Sequence, residues 1–144
     1  MKKILLIISI VIFSTATMAT TSHEVGSGYN YGGAIGWTVN TQVSSNVELF
    51  TGIGVAAKSA GYVVGTKFWV NDKARLTLNY GTNCHVNSSG WTDYEGLNVG
   101  IGYAFSGKEE GWAIDLLLLD ISDCAAAASS SDNSAVRLAA GYRF

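Results

Sequence analysis

The feature that most constrains this chain is a two-residue periodicity that runs from Tyr29 to the last residue, Phe144. Large apolar side chains alternate with small or polar ones in seven segments, separated by stretches rich in Ser, Asn, Asp and Gly. The segments cover residues 29–39, 47–56, 62–70, 75–81, 96–105, 112–119 and 136–144. Such sustained alternation predicts β-strands with two unlike faces, because successive side chains of a strand point to opposite sides. The regular spacing predicts an all-β barrel or sandwich.

The two faces differ in a way that favours a membrane barrel. One face carries bulky apolar and aromatic side chains, whereas the other is mostly Gly, Ala, Asn and Thr. Charged residues are 14% of the chain, against about 25% in an average soluble domain. Outer-membrane barrels turn their apolar face to lipid and their small, polar face to the lumen. We therefore expect an antiparallel up-and-down transmembrane β-barrel. A secreted soluble β-domain is the competing fold.

The first nineteen residues have the pattern of a secretory signal peptide. Lys2 and Lys3 precede an apolar run over residues 4–13, and small residues follow up to Ala19. The apolar run is too short to cross about 30 Å of hydrocarbon as a helix. We predict cleavage after Ala19, which leaves residues 20–144 as one exported β-barrel domain.

The number of strands is not settled by the pattern. Seven segments are clear, but bacterial single-chain barrels have an even number of strands. Residues 20–28 are the only candidate for a short eighth strand, which we favour. A merged pair of strands or a barrel completed by several chains is the alternative.

The last strand ends Tyr142-Arg143-Phe144, with aromatic residues on one face. This ending resembles the insertion signal of bacterial outer-membrane barrels, and the size is similar to that of eight-stranded barrels of the Ail/opacity type. The resemblance implies a bacterial outer-membrane location, with membrane lipid, lipopolysaccharide and the barrel-assembly machinery as partners. It also implies that the last strand ends at the periplasmic rim. The links at 40–46, 71–72 and 106–111 then face the periplasm, and those at 58–61, 87–93 and 123–133 face outward.

The same orientation sorts the aromatic residues into two interface groups, as amphipathic rings prefer. The group expected near the periplasm is Trp37, Phe68, Tyr103, Phe105, Trp112, Tyr142 and Phe144. The group expected near the outer interface is Tyr29, Tyr31, Tyr62 and Tyr80.

Six charged residues fall on the small-residue face and are therefore expected in the lumen. They are Glu48, Lys67, Arg75, Asp115, Arg137 and Arg143. Charges inside a narrow barrel must pair with one another or meet water. We favour an internal plug of ion pairs, since an eight-stranded barrel is just wide enough for side chains. A narrow, porin-like channel that selects anions is the alternative, because the four bases exceed the two acids.

Cys84 and Cys124 are the two cysteines of the chain, and an even pair in an exported protein predicts a disulfide. Both are expected at the outer rim, where a bridge would join two outer loops. His85 is the only other soft ligand nearby, which leaves zinc chemistry incomplete. We predict no metal and no cofactor.

No pattern of catalytic residues emerges. His85 lies close to Ser88 and Ser89, but serines beside Asn and Gly in one loop are usually turn formers. His23 is expected to be disordered near the mature terminus. The net charge of −2 and the pI near 5.5 argue against nucleic-acid binding. We expect a structural or surface-interaction protein rather than an enzyme, and Trp91 in an outer loop is a candidate contact for an unidentified partner.

Overall fold

Eight antiparallel strands close into one barrel in the computed structural model, which describes residues 20–56, 59–87, 91–127 and 134–144. Each strand pairs with the next in sequence, and the first pairs with the last. The strands are β1 (Thr21–Gly28), β2 (Gly33–Ser44), β3 (Val47–Ala56), β4 (Ser59–Trp69), β5 (Ala74–Asn87), β6 (Trp91–Ala104), β7 (Gly111–Asp120) and β8 (Ser134–Arg143). This architecture confirms the all-β, up-and-down barrel. The predicted signal peptide lies outside the described residues.

The short first strand completes the barrel, as favoured from the sequence. β1 pairs with β8 from Glu24 to Ser27. The two ends of the chain are joined there, because the N–H groups of His23 and Phe144 each donate to the other residue's carbonyl, at 3.0 and 2.9 Å. The expectation that His23 is disordered was wrong: its ring stacks on Trp37 with the centroids 5.5 Å apart. We call this end of the barrel the terminal end and the opposite one the far end.

Between β1 and β2 the chain turns into the barrel instead of continuing as a strand. Residues Tyr29–Tyr31 form one 3-10 turn flanked by Gly28 and Gly32, whose φ angles are 110° and 75°. Such positive φ angles suit glycine because it has no Cβ. The sequence assigned 29–31 to a strand and Tyr31 to the outer interface. Both assignments were wrong, since Tyr31 is fully buried inside the barrel.

The strands present the two faces that the alternation predicted. In β7, the large side chains of Trp112, Ile114, Leu116 and Leu118 are exposed, and those of Ala113, Asp115, Leu117 and Leu119 are buried. All eight strands carry exposed large apolar side chains in this way. The apolar face therefore points out of the barrel, and the small and polar face lines its interior.

The far end contains more strand and helix than the sequence predicted. Residues 87 and 91–93 were assigned to a link, but they extend the β5–β6 ladder, which pairs as far as Asn87 with Trp91. Part of the predicted link at 123–133 forms the helix α1 (Ser122–Ala127). Among the described residues, no helix is long and apolar enough to cross a bilayer.

Candidate functional site

The interior near the terminal end holds a network of buried ion pairs centred on Glu24 of β1. One carboxylate oxygen of Glu24 accepts from Lys67 Nζ at 2.9 Å and from the Tyr31 hydroxyl at 3.1 Å. Its other oxygen accepts from Arg75 at 3.3 Å and from the Nε of Arg143 at 2.8 Å. Glu24 is only 2% exposed. One carboxylate therefore links β1, β4, β5 and β8 from the inside.

Arg75 and Asp115 form a bidentate pair that crosses over a glycine. Arg75 lies on β5 and Asp115 on β7, and Gly102 of β6 stands between them in the same row. The guanidinium donates to the two carboxylate oxygens at 3.0 and 2.7 Å. A Cβ at position 102 would stand 2.0 Å from the Asp115 carboxylate oxygen. The missing side chain at Gly102 thus allows the side chains of Arg75 and Asp115, on two strands that are not neighbours, to form an ion pair.

Arg143 ties the last strand to β3. Its guanidinium donates to both Glu48 carboxylate oxygens, at 2.7 and 2.8 Å. The Trp69 ring lies beside two cations, with the guanidinium carbons of Arg143 and Arg75 at 5.3 and 5.4 Å from its centroid. Bidentate carboxylate pairing and stacking on a ring both use the planar shape of arginine, which lysine lacks.

The charges of this network balance. Among the described residues, the buried acids are Glu24, Glu48 and Asp115, and the buried bases are Lys67, Arg75 and Arg143. Glu24 was not among the lumen charges identified from the sequence, because it lies outside the seven clear segments. The only local signal for an inward side chain is that the charged Glu24 stands next to the apolar Val25, which would face the other side of a strand.

Arg137, the sixth residue expected in the lumen, is placed differently. It alternates in step with the buried Ala139 and Arg143 but is exposed, and it donates to the Val136 carbonyl at 3.0 Å. The pairing of β8 with β1 covers only residues 140–143, so Arg137 lies beyond it toward the far end. Its charge therefore does not add to the buried network.

On the far-end side of the charged network, a series of hydrogen-bonded asparagine side chains crosses the lumen. Asn30 in the 3-10 turn accepts from Asn79 at 2.8 Å, and Asn79 accepts from Asn98 at 2.7 Å. Asn98 and Asn83 exchange two bonds of 2.7 Å, and Asn83 also donates to the Asp120 carbonyl at 2.6 Å. Buried polar side chains are usually hydrogen-bonded, and the amides of Asn79, Asn83 and Asn98 each both donate and accept here. The series connects the 3-10 turn to β5, β6 and β7.

The 3-10 turn fills the lumen between these layers because four glycines leave room for it. A Cβ at Gly26 or Gly141 would stand 2.5 or 2.1 Å from atoms of the Tyr31 side chain. A Cβ at Gly36 or Gly54 would stand 1.8 or 2.4 Å from its carbonyl oxygen. Tyr31 also packs with Leu117, Leu119 and Ala139 in a buried apolar cluster. The 3-10 turn and this cluster therefore occupy the part of the lumen that the glycines leave open.

The predicted disulfide is confirmed. Cys84 of β5 and Cys124 of α1 are bonded, with their Cα atoms 6.4 Å apart. The two residues lie in a strand and a helix rather than in two loops, because secondary structure extends further at this end than predicted. No group of three metal-ligating side chains occurs among the described residues.

On the outside, the aromatic residues expected at one interface lie toward the terminal end. Trp37, Phe68, Tyr103, Phe105 and Trp112 are exposed, and Tyr142 is half-buried. Two T-shaped pairs, Tyr103 with Phe105 and Trp112 with Tyr142, each have centroids 5.5 Å apart. On the other half of the wall, the hydroxyl of Tyr80 donates to Glu95 at 3.0 Å.

The loop residues considered for chemistry or partner binding are not brought into one described site. Ser88 and Ser89 lie outside the described residues. The backbones of His85 and Trp91 are part of the β5–β6 ladder, where His85 is opposite Asp93. No protein-family model, no curated protein and no solved structure matches this chain.

Proposed function

We propose that this chain is an integral outer-membrane β-barrel with a closed interior, exported by a signal peptide over residues 1–19 and cleaved after Ala19. The observation that carries the proposal is the continuous belt of exposed apolar side chains on all eight strands, with residues such as Ile35, Ile53 and Leu138 each 65% exposed. Leaving one such side chain in water forgoes about 1.5–3 kcal/mol of burial free energy. A lipid surface around the barrel removes this deficit for the whole belt.

The closed hydrogen-bonded wall supports the same proposal. Hydrocarbon offers no partners to backbone groups, so a chain that crosses it as strands must form a closed barrel. The antiparallel ladder here returns from β8 to β1. With β8 ending at the periplasmic rim, as the resemblance to outer-membrane barrels implies, the terminal end is periplasmic and the far end faces outward.

The balanced charges favour a plugged barrel over an anion-selective channel. Among the described residues, three acids and three bases are buried against each other, so the excess of bases that suggested anion selection is not found in this part of the chain. The role we propose is structural or one of interaction at the cell surface, as in small barrels of the Ail/opacity type. Lipopolysaccharide would surround the outer half, and the barrel-assembly machinery would recognise Tyr142 and Phe144.

The experiment that tests this function is heat-modifiable gel mobility combined with fractionation. The protein is collected from washed outer membranes and run on SDS gels with and without boiling. A folded membrane barrel resists SDS until it is boiled, so we expect two mobilities and protein in the membrane fraction. One mobility, with the protein free in the periplasm or medium, would leave the soluble secreted β-domain as the better interpretation.

A further inference from the structure

The helix α1 lies across the rim of the barrel at its far end. It follows β7 directly, and Cys124 near its middle is bonded to Cys84 of β5, so it reaches past the intervening strand β6. Its inner side is buried, since Ala125 is 4% exposed and Ile121, just before the helix, packs on the apolar cluster around Tyr31. The helix therefore covers the outermost layer of the interior.

The described hydrogen bonds of this helix lie at its N-terminal start. Asp120 accepts from the N–H and the hydroxyl of Ser122, at 3.1 and 2.8 Å, and its carbonyl accepts from Asn83. A single described backbone bond, from the Ala125 N–H to the Ile121 carbonyl at 2.8 Å, joins it to the preceding residues. A helix of six residues is unstable in water without tertiary attachments. The disulfide is the covalent attachment of this helix to β5.

An irregularity in β5 presents Cys84 to the helix. The β5–β6 register shifts between Thr82 and Cys84, so that Thr82 and Asn83 are both buried although they are consecutive. A β-bulge of this kind redirects the side chains that follow it. Asn83 consequently points into the barrel beneath the helix, and Cys84 meets Cys124.

We propose that α1 is a lid over the far end of the barrel and that the Cys84–Cys124 disulfide is its latch, the bond that holds the lid closed. A dithiol reductant breaks this bond and opens the lid. In this exchange a thiolate of the dithiol attacks one sulfur and the second thiol resolves the mixed disulfide. Two electrons and two protons pass to Cys84 and Cys124, which become thiols, and the dithiol becomes a disulfide. Opening uncovers Ile121 and Asn83, whereas the 3-10 turn and the ion pairs below remain. Opening the lid thus changes the surface at the far end of the barrel and leaves the lumen closed. The outward direction of that surface rests on the proposed function.

Hydrogen–deuterium exchange of the full mature protein in detergent micelles tests the latch. The oxidised wild type is compared with wild type treated with dithiothreitol and with the double variant Cys84→Ser/Cys124→Ser. We expect amides of residues 121–127 to exchange at least about tenfold faster in the last two samples. Amides of Leu116 to Leu119 should stay protected in all three. Dithiothreitol should not change the double variant further.

The variant Asn83→Ala separates the latch from the non-covalent attachment. With its disulfide intact, we expect the lid amides of this variant to stay protected. Equal protection in oxidised and reduced protein would overturn the proposal, as would a lid that opens in Asn83→Ala or β7 amides that lose protection together with the lid. Heat-modifiable mobility of the same samples reports the membrane barrel independently, so failure of the lid and failure of the proposed function are distinguishable.

Discussion

Replacing Glu24 by Gln tests the idea that one carboxylate balances the charges inside the barrel. The substitution keeps the size of the side chain but removes its charge. The buried interior would then hold the acids Glu48 and Asp115 against three bases. The new amide would also turn a donor toward groups that themselves donate, among them the Tyr31 hydroxyl and Lys67 Nζ.

The expected cost follows from burial. Removing one partner of a buried ion pair costs about 3–5 kcal/mol, because the remaining charge is left uncompensated. Glu24 accepts from Lys67, Arg75 and Arg143, so we place Glu24→Gln at the upper end of this range. Lys67→Met added to Glu24→Gln restores balance, with two acids and two bases. The double variant should therefore lose less stability than the sum of the two single variants.

The assay is urea unfolding of the barrel in lipid vesicles, followed by tryptophan fluorescence. Glu95→Gln is the matched control, since Glu95 is an exposed carboxylate bonded to the Tyr80 hydroxyl. We expect its urea midpoint to stay near that of the wild type. A Glu24→Gln midpoint equal to the control, or a double variant that loses the full sum, would refute the charge-balance reasoning.

Three further results are expected. Gly102→Val should lower the unfolding free energy by about 1–3 kcal/mol through overpacking, because its Cβ meets the carboxylate of Asp115; an unchanged urea midpoint would contradict the role of the glycine. Tyr31→Phe removes a hydrogen bond to the charged Glu24 and should cost about 1.5–3 kcal/mol in the same assay, whereas a neutral result would mean that packing alone holds the turn. In planar bilayers the wild type should show no steady conductance, and open, anion-selective steps would contradict the plugged interior.

Much of the barrel is readable from the sequence because its strands have unlike faces. β7 is an example: the sequence places Trp112, Ile114, Leu116 and Leu118 on one face, and the structure keeps every one of them on the expected outer side. The alternation works because the pleat of a strand, not the surrounding protein, decides which side a residue faces.

The errors arise where tertiary contacts override the local pattern. Tyr29-Asn30-Tyr31 continues the alternation by coincidence, but two glycines with positive φ turn it into the lumen. β1 is polar and short, so neither its strand nor the inward Glu24 gave a strong local signal. The bulge before Cys84 depends on pairing with β6, which periodicity within one strand does not report.

Quenching of single tryptophans by brominated lipid tests the inside-out arrangement most directly. The chain has four tryptophans, and variants that retain only Trp37, only Trp69 or only Trp112 would be reconstituted into vesicles with brominated acyl chains. Trp37 and Trp112 are 43% and 61% exposed on the wall, whereas Trp69 is 4% exposed inside. We expect strong quenching of Trp37 and Trp112 and little of Trp69. Quenching of Trp69 alone, or of none of the three, would contradict a barrel whose apolar face meets lipid.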